Sequence, residues 1–384
     1  MDADVLIAGG GPVGLYLAAA LLQEGVSVKV LEQRRCRNRH SRAIGIHPPA
    51  LEALAGIDVA AGMVQEGVRI RAGMAVSGGR TVGTMAFDGV SSEFPFVLAL
   101  PQFRTEELLE ERVRALDAGA VIRGAHVTGV TDDGGGVTVA FGSVAGAGQD
   151  SSGSVRAALL AVADGARSGL RDALGIPASG RTYPDHYLMG DFDDCTDYGD
   201  KAVLFLEPEG IVESFPLPGG VRRWVVRLER PAPPGAVADD LVHLVRRRTG
   251  FLPDAATNTM LSSFSVRSTL ARRMVAGRAV LLGDAAHEVS PIGGQGMNLG
   301  WLDASELVPV ICAALEGRPV GRQLREFGKR RMQAAVLARR QAEVNMMLGR
   351  PLPAPLLAVR TAAIGAAAAL PAVNRWAARR FTMH

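Results

Sequence analysis

What this 384-residue chain lacks narrows it first. Its three cysteines, Cys36, Cys195 and Cys312, are odd in number and far apart. That excludes a disulfide framework and a Cys-x-x-Cys metal site, and it fits a reducing, cytoplasmic compartment. Charge of one sign is missing too: 42 Lys and Arg against 39 Asp and Glu give +3, which argues against a protein built to coat nucleic acid. Residues 1–4 are acidic where a secretory leader is basic. The uncharged stretch at 361–373 falls short of the roughly 20 residues that span a bilayer, so no integral membrane segment is expected. It reads as part of an Ala-rich terminal helix packed on the body, with a surface-seeking helix as the alternative. His40 and His186 have no companions at metal-ligand spacing, and no metal site is expected.

What is present supports a globular α/β protein. Hydrophobic residues make up 48% of the chain, enough to bury a core, and the 46 glycines are well above the usual share of about 7%. The first 35 residues are the most informative. An apolar run at 5–8 reads as a strand buried on both faces. Gly9-Gly10-Gly11-Pro12-Val13-Gly14 follows, and then Leu15, Ala18, Ala19 and Leu22 form the stripe of a helix capped by Gly25. A second apolar strand ends at Glu32. Gly9, Gly11 and Gly14 thus make a G-x-G-x-x-G turn inside a complete β-α-β unit. Gly9 permits the sharp exit from the strand, Gly11 lets backbone approach a pyrophosphate, and Gly14 lets helix and sheet pack closely. The helix N-terminus offers free amides to phosphate, and Glu32 is placed to accept hydrogen bonds from a ribose diol. No second such unit follows. Gly134-Gly135-Gly136 reads as a hairpin turn between strands.

Further along, a helix is expected at 103–116, an exposed loop at 143–155, and a buried strand at 157–162 that runs into Asp164-Gly165. From 181 to 230, β-branched and aromatic segments separated by Pro, Gly and Asp read as an antiparallel sheet in a distinct subdomain. A buried strand at 279–282 then leads into Gly283-Asp284-Ala285-Ala286-His287 and the loop Pro291-Ile292-Gly293-Gly294-Gln295-Gly296-Met297-Asn298. This is a second place where bare backbone closely approaches a ligand, at the start of another helix. An acid at a strand's carboxyl end suits a polyol chain, and helix amides suit negative charge on an adjacent ring. Pro309, within 301–315, is expected to kink or interrupt that helix.

These three constellations, in this order and at this spacing, resemble the FAD-dependent aromatic monooxygenases, the class of para-hydroxybenzoate hydroxylase and of hydroxylases that tailor aromatic polyketides. The likeness spans about residues 4–335. It implies a Rossmann-type FAD-binding domain with an inserted antiparallel β-sheet substrate domain and C-terminal helices. The expected division is 1–70, 100–178 and 270–340 for FAD, 71–99 and 179–269 for substrate, and 341–384 for the terminal helical segment. The chain is similar to shorter members that have no thioredoxin-like C-terminal domain.

The resemblance also implies roles. Gly9, Gly11, Pro12, Val13 and Gly14 would hold the FAD pyrophosphate, and Glu32 the adenosine ribose. Arg42 matches a residue that contacts FAD, although it stands in a basic run that otherwise reads as a solvated loop. Gln102 would lie beside the flavin's linking chain and Val127 near adenine. Asp164 and Gly165 match a pair implicated in FAD and NAD(P)H binding. Asp284 would bind the ribityl chain, while Pro291, Gly293, Gly294, Gln295, Gly296 and Met297 would line the isoalloxazine. His287 reads as structural rather than as a base, and Arg330 and Arg331 as a structural basic pair.

NAD(P)H is the implied reductant, with molecular oxygen and a small aromatic substrate, and oxygen transfer through a flavin C4a-hydroperoxide. No catalytic residue is singled out. Tyr183, Tyr187, Phe205, Phe215 and Trp224 are candidates for the pocket wall, of which strand alternation allows about half to face inward. Epoxidation, Baeyer–Villiger insertion, FAD-dependent reduction and a non-catalytic FAD-binding role stand as alternatives. The isolated tryptophans at 224, 301 and 376 form no Trp-x-Trp-x-Ile-Pro halogenase motif.

Overall fold

Parallel strands form the centre of the first sheet. Ala3–Ala8 lies between Val28–Glu32 and Gly153–Val162, and parallel pairing continues to Val121–Arg123 on one side and Ala279–Leu281 on the other. Val5, Leu6 and Ile7 are fully buried, which is why this segment is continuously apolar rather than alternating. Helix Pro12–Gln23 packs against helices Gln102–Leu116 and Gln295–Leu315. It ends in the expected manner: Gly25 takes a φ of 78°, and the Val26 amide turns back to the Leu21 carbonyl. The computed structural model describes residues 1–37, 43–143 and 152–384.

The hairpin of Ala125–Asp132 and Val137–Ser143 turns at Gly134, and its second strand pairs with Gly153–Val162. Strand therefore reaches in to Ser143 on one side and out from Gly153 on the other, where a loop over 143–155 was expected. Cross-strand pairing of Phe141 with Gly153 overrides the local Gly and Ser composition.

The second sheet has eight strands. In spatial order they are His287–Glu288, Met260–Ala271, Ala178–Asp193, Val221–Leu228, Val212–Leu217, Ala202–Phe205, Ala72–Ser77 and Arg80–Ala86. The expected antiparallel sheet forms, completed by strands from 72–86 and 260–271; the one parallel pairing in it joins Ala202–Phe205 to Ala72–Ser77. One face is sealed by helix Ala238–Thr249, whose Leu241 and Val245 pack with Phe205, Trp224 and Val226.

Two features depart from the sequence reading. Helix Gln295–Leu315 runs unbroken through Pro309, which is exposed, so water can satisfy the carbonyl its ring leaves without a partner. This helix is also long and apolar enough to cross a membrane by length and composition, yet half of its apolar window is buried within the fold. The terminal segment is two helices rather than one: Ala354–Ala369 and Pro371–Phe381 meet at a bend of 100°. Pro371 forces the bend, because the residue before a proline is driven out of helical geometry, and Leu370 is extended at φ −91°, ψ 109°. Both helices lie on strand Arg80–Ala86. Their outer surface leaves Leu356, Val359 and Trp376 exposed.

Candidate active site

The candidate cofactor residues converge because four of their segments leave the carboxyl ends of adjacent parallel strands. Ala8 is in register with Leu31 and with Val162, and Val162 with Leu281. Gly9, Glu32, Asp164 and Asp284 each follow one of these positions within three residues, so they emerge side by side at one edge of the sheet, where open α/β sheets bind ligands.

At the first turn, steric limits identify what each glycine does. Gly9 has a φ of 110°, and a Cβ there would stand 2.3 Å from the Ala163 carbonyl oxygen. A Cβ on Gly14 would lie 2.0 Å from the Gly9 carbonyl oxygen. Gly11 differs: a Cβ would meet nothing within 4 Å and would project into open space. Its hydrogen therefore serves whatever fills that space rather than the packing of the chain. Among the described residues no side chain caps this helix, so its first amides are left for a ligand. Gly9, Gly11, Pro12 and Val13 line the adjoining chamber, whereas Gly14 is buried between helix and strand.

Glu32 closes the turn from below, its carboxylate accepting from the Gly10 amide at 2.7 Å and from the Arg34 amide and Nε at 2.7 and 2.9 Å. Burial alone would raise its pKa, but the bonds and charge of Arg34 outweigh burial and hold it below the usual carboxylate range. Gln102 donates to Glu106 at 2.8 Å, and both line the chamber beside Val127. Asp164 accepts from the Leu170 amide at 3.3 Å while its buried Oδ1 has no partner among the described residues. Arg42 lies outside the described residues.

The second glycine turn stands on the opposite wall. Gly293 and Gly294 have φ of 98° and 67°, a conformation side chains resist, and Gly294 caps helix Gln295–Leu315. Pro291, Gly293, Gly294, Gly296 and Met297 line the chamber. Gln295 does not: its Nε2 donates to the Phe381 carbonyl at 3.4 Å, tying the turn to the last helix. Asp284 is open to the chamber yet lies deep in the molecule, and burial pushes its carboxyl up to about 6.

Beneath this turn sits a charged network the sequence did not disclose. Asp303 accepts from His287 Nε2 at 2.6 Å, Arg331 Nε at 2.7 Å and the Gly283 amide at 3.1 Å. Burial opposes charge on Asp303, but His287 and Arg331 prevail and hold its pKa down. His287 is fully buried and does not line the chamber, in keeping with a structural role, and Arg331 is shown as its co-partner. No local signal could reveal the trio, which joins positions 16 and 28 residues apart.

The chamber, about 1480 Å³, runs without interruption from the first glycine turn past Asp284 to the free face of the second sheet. Phe215 lines it, with Met74, Met85 and Phe264. The other aromatic candidates do not. Phe205 and Trp224 alternate onto the opposite face beneath helix Ala238–Thr249; Tyr187 stacks behind Phe264 at 5.2 Å, and Tyr183 hydrogen-bonds Glu343. Two further groups reach the chamber. His47 is buried with Nδ1 unpartnered among the described residues, and burial depresses its pKa to about 4. Glu213 is a buried acid in the apolar wall. Its place in a strand on the same face as Phe215 was the one sequence signal for it.

The residues fit a flavin dinucleotide: an open cradle at Gly11, an unpartnered carboxylate oxygen at Asp164, and a continuous route to a second glycine turn. The family described as FAD binding domain matches residues 2–342. The rifampicin monooxygenase of Streptomyces venezuelae is 32% identical over 360 residues, covering 91% of this chain and 73% of that protein. The anhydrotetracycline hydroxylase OxyS of Streptomyces rimosus superposes with a TM-score of 0.80 at 30% identity, over 100% of this chain and 76% of that one. The p-nitrophenol 4-monooxygenase PnpA of Pseudomonas putida shares the fold at a TM-score of 0.89 and 24% identity, over 99% and 98% of the two chains.

Proposed function

As this chain belongs to the FAD binding domain family, and within it to the FAD-dependent aromatic monooxygenases, we propose that it hydroxylates a fused-ring phenol or quinone of secondary metabolism at the expense of NADH or NADPH. The substrate class rests on the rifampicin and anhydrotetracycline relatives and on the breadth of the apolar sheet face. The single observation that carries the reading is the continuity of the chamber from the Gly11 cradle to that face.

Bound there, FAD would accept reducing equivalents from the pyridine nucleotide and deliver one atom of molecular oxygen to an electron-rich ring carbon. The chain's own residues supply the rest. The Gly9–Gly11 turn and the first helix's amides would hold the diphosphate, with Glu32 at the ribose. Asp284 would accept hydroxyl hydrogens of the linking chain. Amides of the 293–297 turn would serve the flavin's polar edge, where fixed donors of this kind are worth about 3 kcal/mol each to developing negative charge. The sheet face and the terminal helices exclude water, which preserves a reactive oxygen donor.

The test is oxygen uptake by the purified, FAD-loaded protein with NADH and NADPH across a panel of fused-ring phenols. Substrate-stimulated uptake with oxygenated product is expected; FAD-loaded protein that never oxidises either nucleotide would overturn the reading. Asp284→Ala is expected to lower FAD retention on gel filtration by about tenfold or more, as loss of an acceptor for the ligand's hydroxyls implies. Full retention would remove Asp284 from the site.

A further inference from the structure

Glu213 occupies the middle of a cross-strand row. Register places Ala75 beside Leu204, Leu204 beside Glu213, Glu213 beside Val225, Val225 beside Met189, and Met189 beside Ser262. Opposed residues share a face, and all six line the chamber. The wall around this carboxyl is therefore apolar on both sides. Glu213 is 7% exposed, and no hydrogen-bond or ion-pair partner reaches its carboxyl among the described residues.

The charged groups nearby are otherwise engaged. Arg223, two residues from Val225 on the same strand face, holds both oxygens of Asp191 at 2.6 and 2.8 Å. Asp185 takes Arg227 at 3.1 Å and Arg350 at 2.7 Å. Tyr187, whose hydroxyl is buried without a partner among the described residues, is raised in pKa by burial and then by the charge of Glu213. Burial alone pushes the Glu213 carboxyl up to about 7. Buried acids are ordinarily paired, and one left unpaired in a chamber wall marks a place for a ligand's donor.

We propose that Glu213 is a substrate-positioning group that accepts a hydrogen bond from a ring hydroxyl, selecting hydroxylated aromatics and fixing which ring edge faces the flavin. The inference rests on the preceding reading for the nature of the ligand. It deepens that reading by requiring a free hydroxyl, since an ether in its place would leave the carboxyl buried and unmatched. A hydrogen bond to the carboxylate also increases electron density in the ring, which favours attack on it.

The experiment is calorimetric titration at pH 8 of the purified protein, whatever its flavin content, with 1-naphthol and with 1-methoxynaphthalene. The wild type is expected to bind the naphthol about tenfold or more tighter than the ether. Glu213→Met should abolish the preference, and the near-isosteric Glu213→Gln, which keeps an acceptor, should retain part of it. Equal affinities in the wild type, absence of binding by either probe, or a wild-type preference surviving in Glu213→Met would each overturn the proposal. Failure to take up FAD falls on the preceding reading instead, because the titration does not depend on it.

Discussion

Gly11 and Gly14 stand three residues apart in one turn and answer to different constraints. An added methyl at Gly11 meets no protein atom, whereas at Gly14 it would overlap the Gly9 carbonyl at 2.0 Å. Gly11→Ala is accordingly expected to fold with stability within about 1 kcal/mol of wild type and to lose FAD affinity. Gly14→Ala is expected to lose more than about 2 kcal/mol through overpacking. Urea unfolding of the apoprotein and FAD titration separate the two. Glu213 yields a pH signature. Its carboxyl keeps its proton up to about 7 in the folded protein, against an ordinary value of 4.5. Between those values the folded state binds more protons than the unfolded chain, so stability is full below 4.5 and falls as pH rises toward 7. The loss is on the order of 3 kcal/mol. Glu213→Gln lacks that slope and should surpass wild type at pH 8 but not at pH 4.5 in thermal unfolding. A pH-independent difference would contradict the assignment.

Helix Gln295–Leu315 is the element that ties the site together. Its N-terminus forms the second glycine turn, and about two turns further on Asp303 anchors Gly283, His287 and Arg331. The N-terminus was legible because three glycines after an apolar strand form a local pattern. Asp303 was not, since its partners arrive from other elements and an acid in a helix ordinarily faces water. Asp303→Ala leaves buried His287 without its counterion and Arg331 with Glu306 alone, at 2.8 Å, and is expected to cost about 3–5 kcal/mol. The 283–288 segment should loosen with it, read as faster hydrogen exchange there than in strand Ala3–Ala8.

At the scale of the molecule, the chamber has three walls: the edge of the parallel sheet, the free face of the second sheet, and the two terminal helices. Ile364, Ala368, Val373 and Phe381 close the third wall, and Phe381 stacks against Phe87 at 5.9 Å and meets the His47 ring at a tilt of 49° and 5.4 Å. Removing residues 353–384 opens the sheet face to water while leaving every candidate dinucleotide contact of the first turn in place. The truncated protein is expected to keep FAD but to release a severalfold larger share of consumed oxygen as hydrogen peroxide, measured by a peroxidase-coupled assay. Unchanged coupling would show that these helices do not protect the reaction.

The sequence by itself determined the β-α-β unit, the two glycine turns, the acids at strand ends and the antiparallel character of the middle of the chain. Each is written in spacings of a few residues, where sterics and hydrogen bonding act locally. Tertiary structure alone decided that Gly11 opens on a cavity while Gly14 packs, that Trp224 and Phe205 face a helix while Phe215 and Glu213 face the chamber, and that the C-terminus bends back over it. Those outcomes depend on register between strands far apart in the chain and on which face another element covers, and long-range packing settles both.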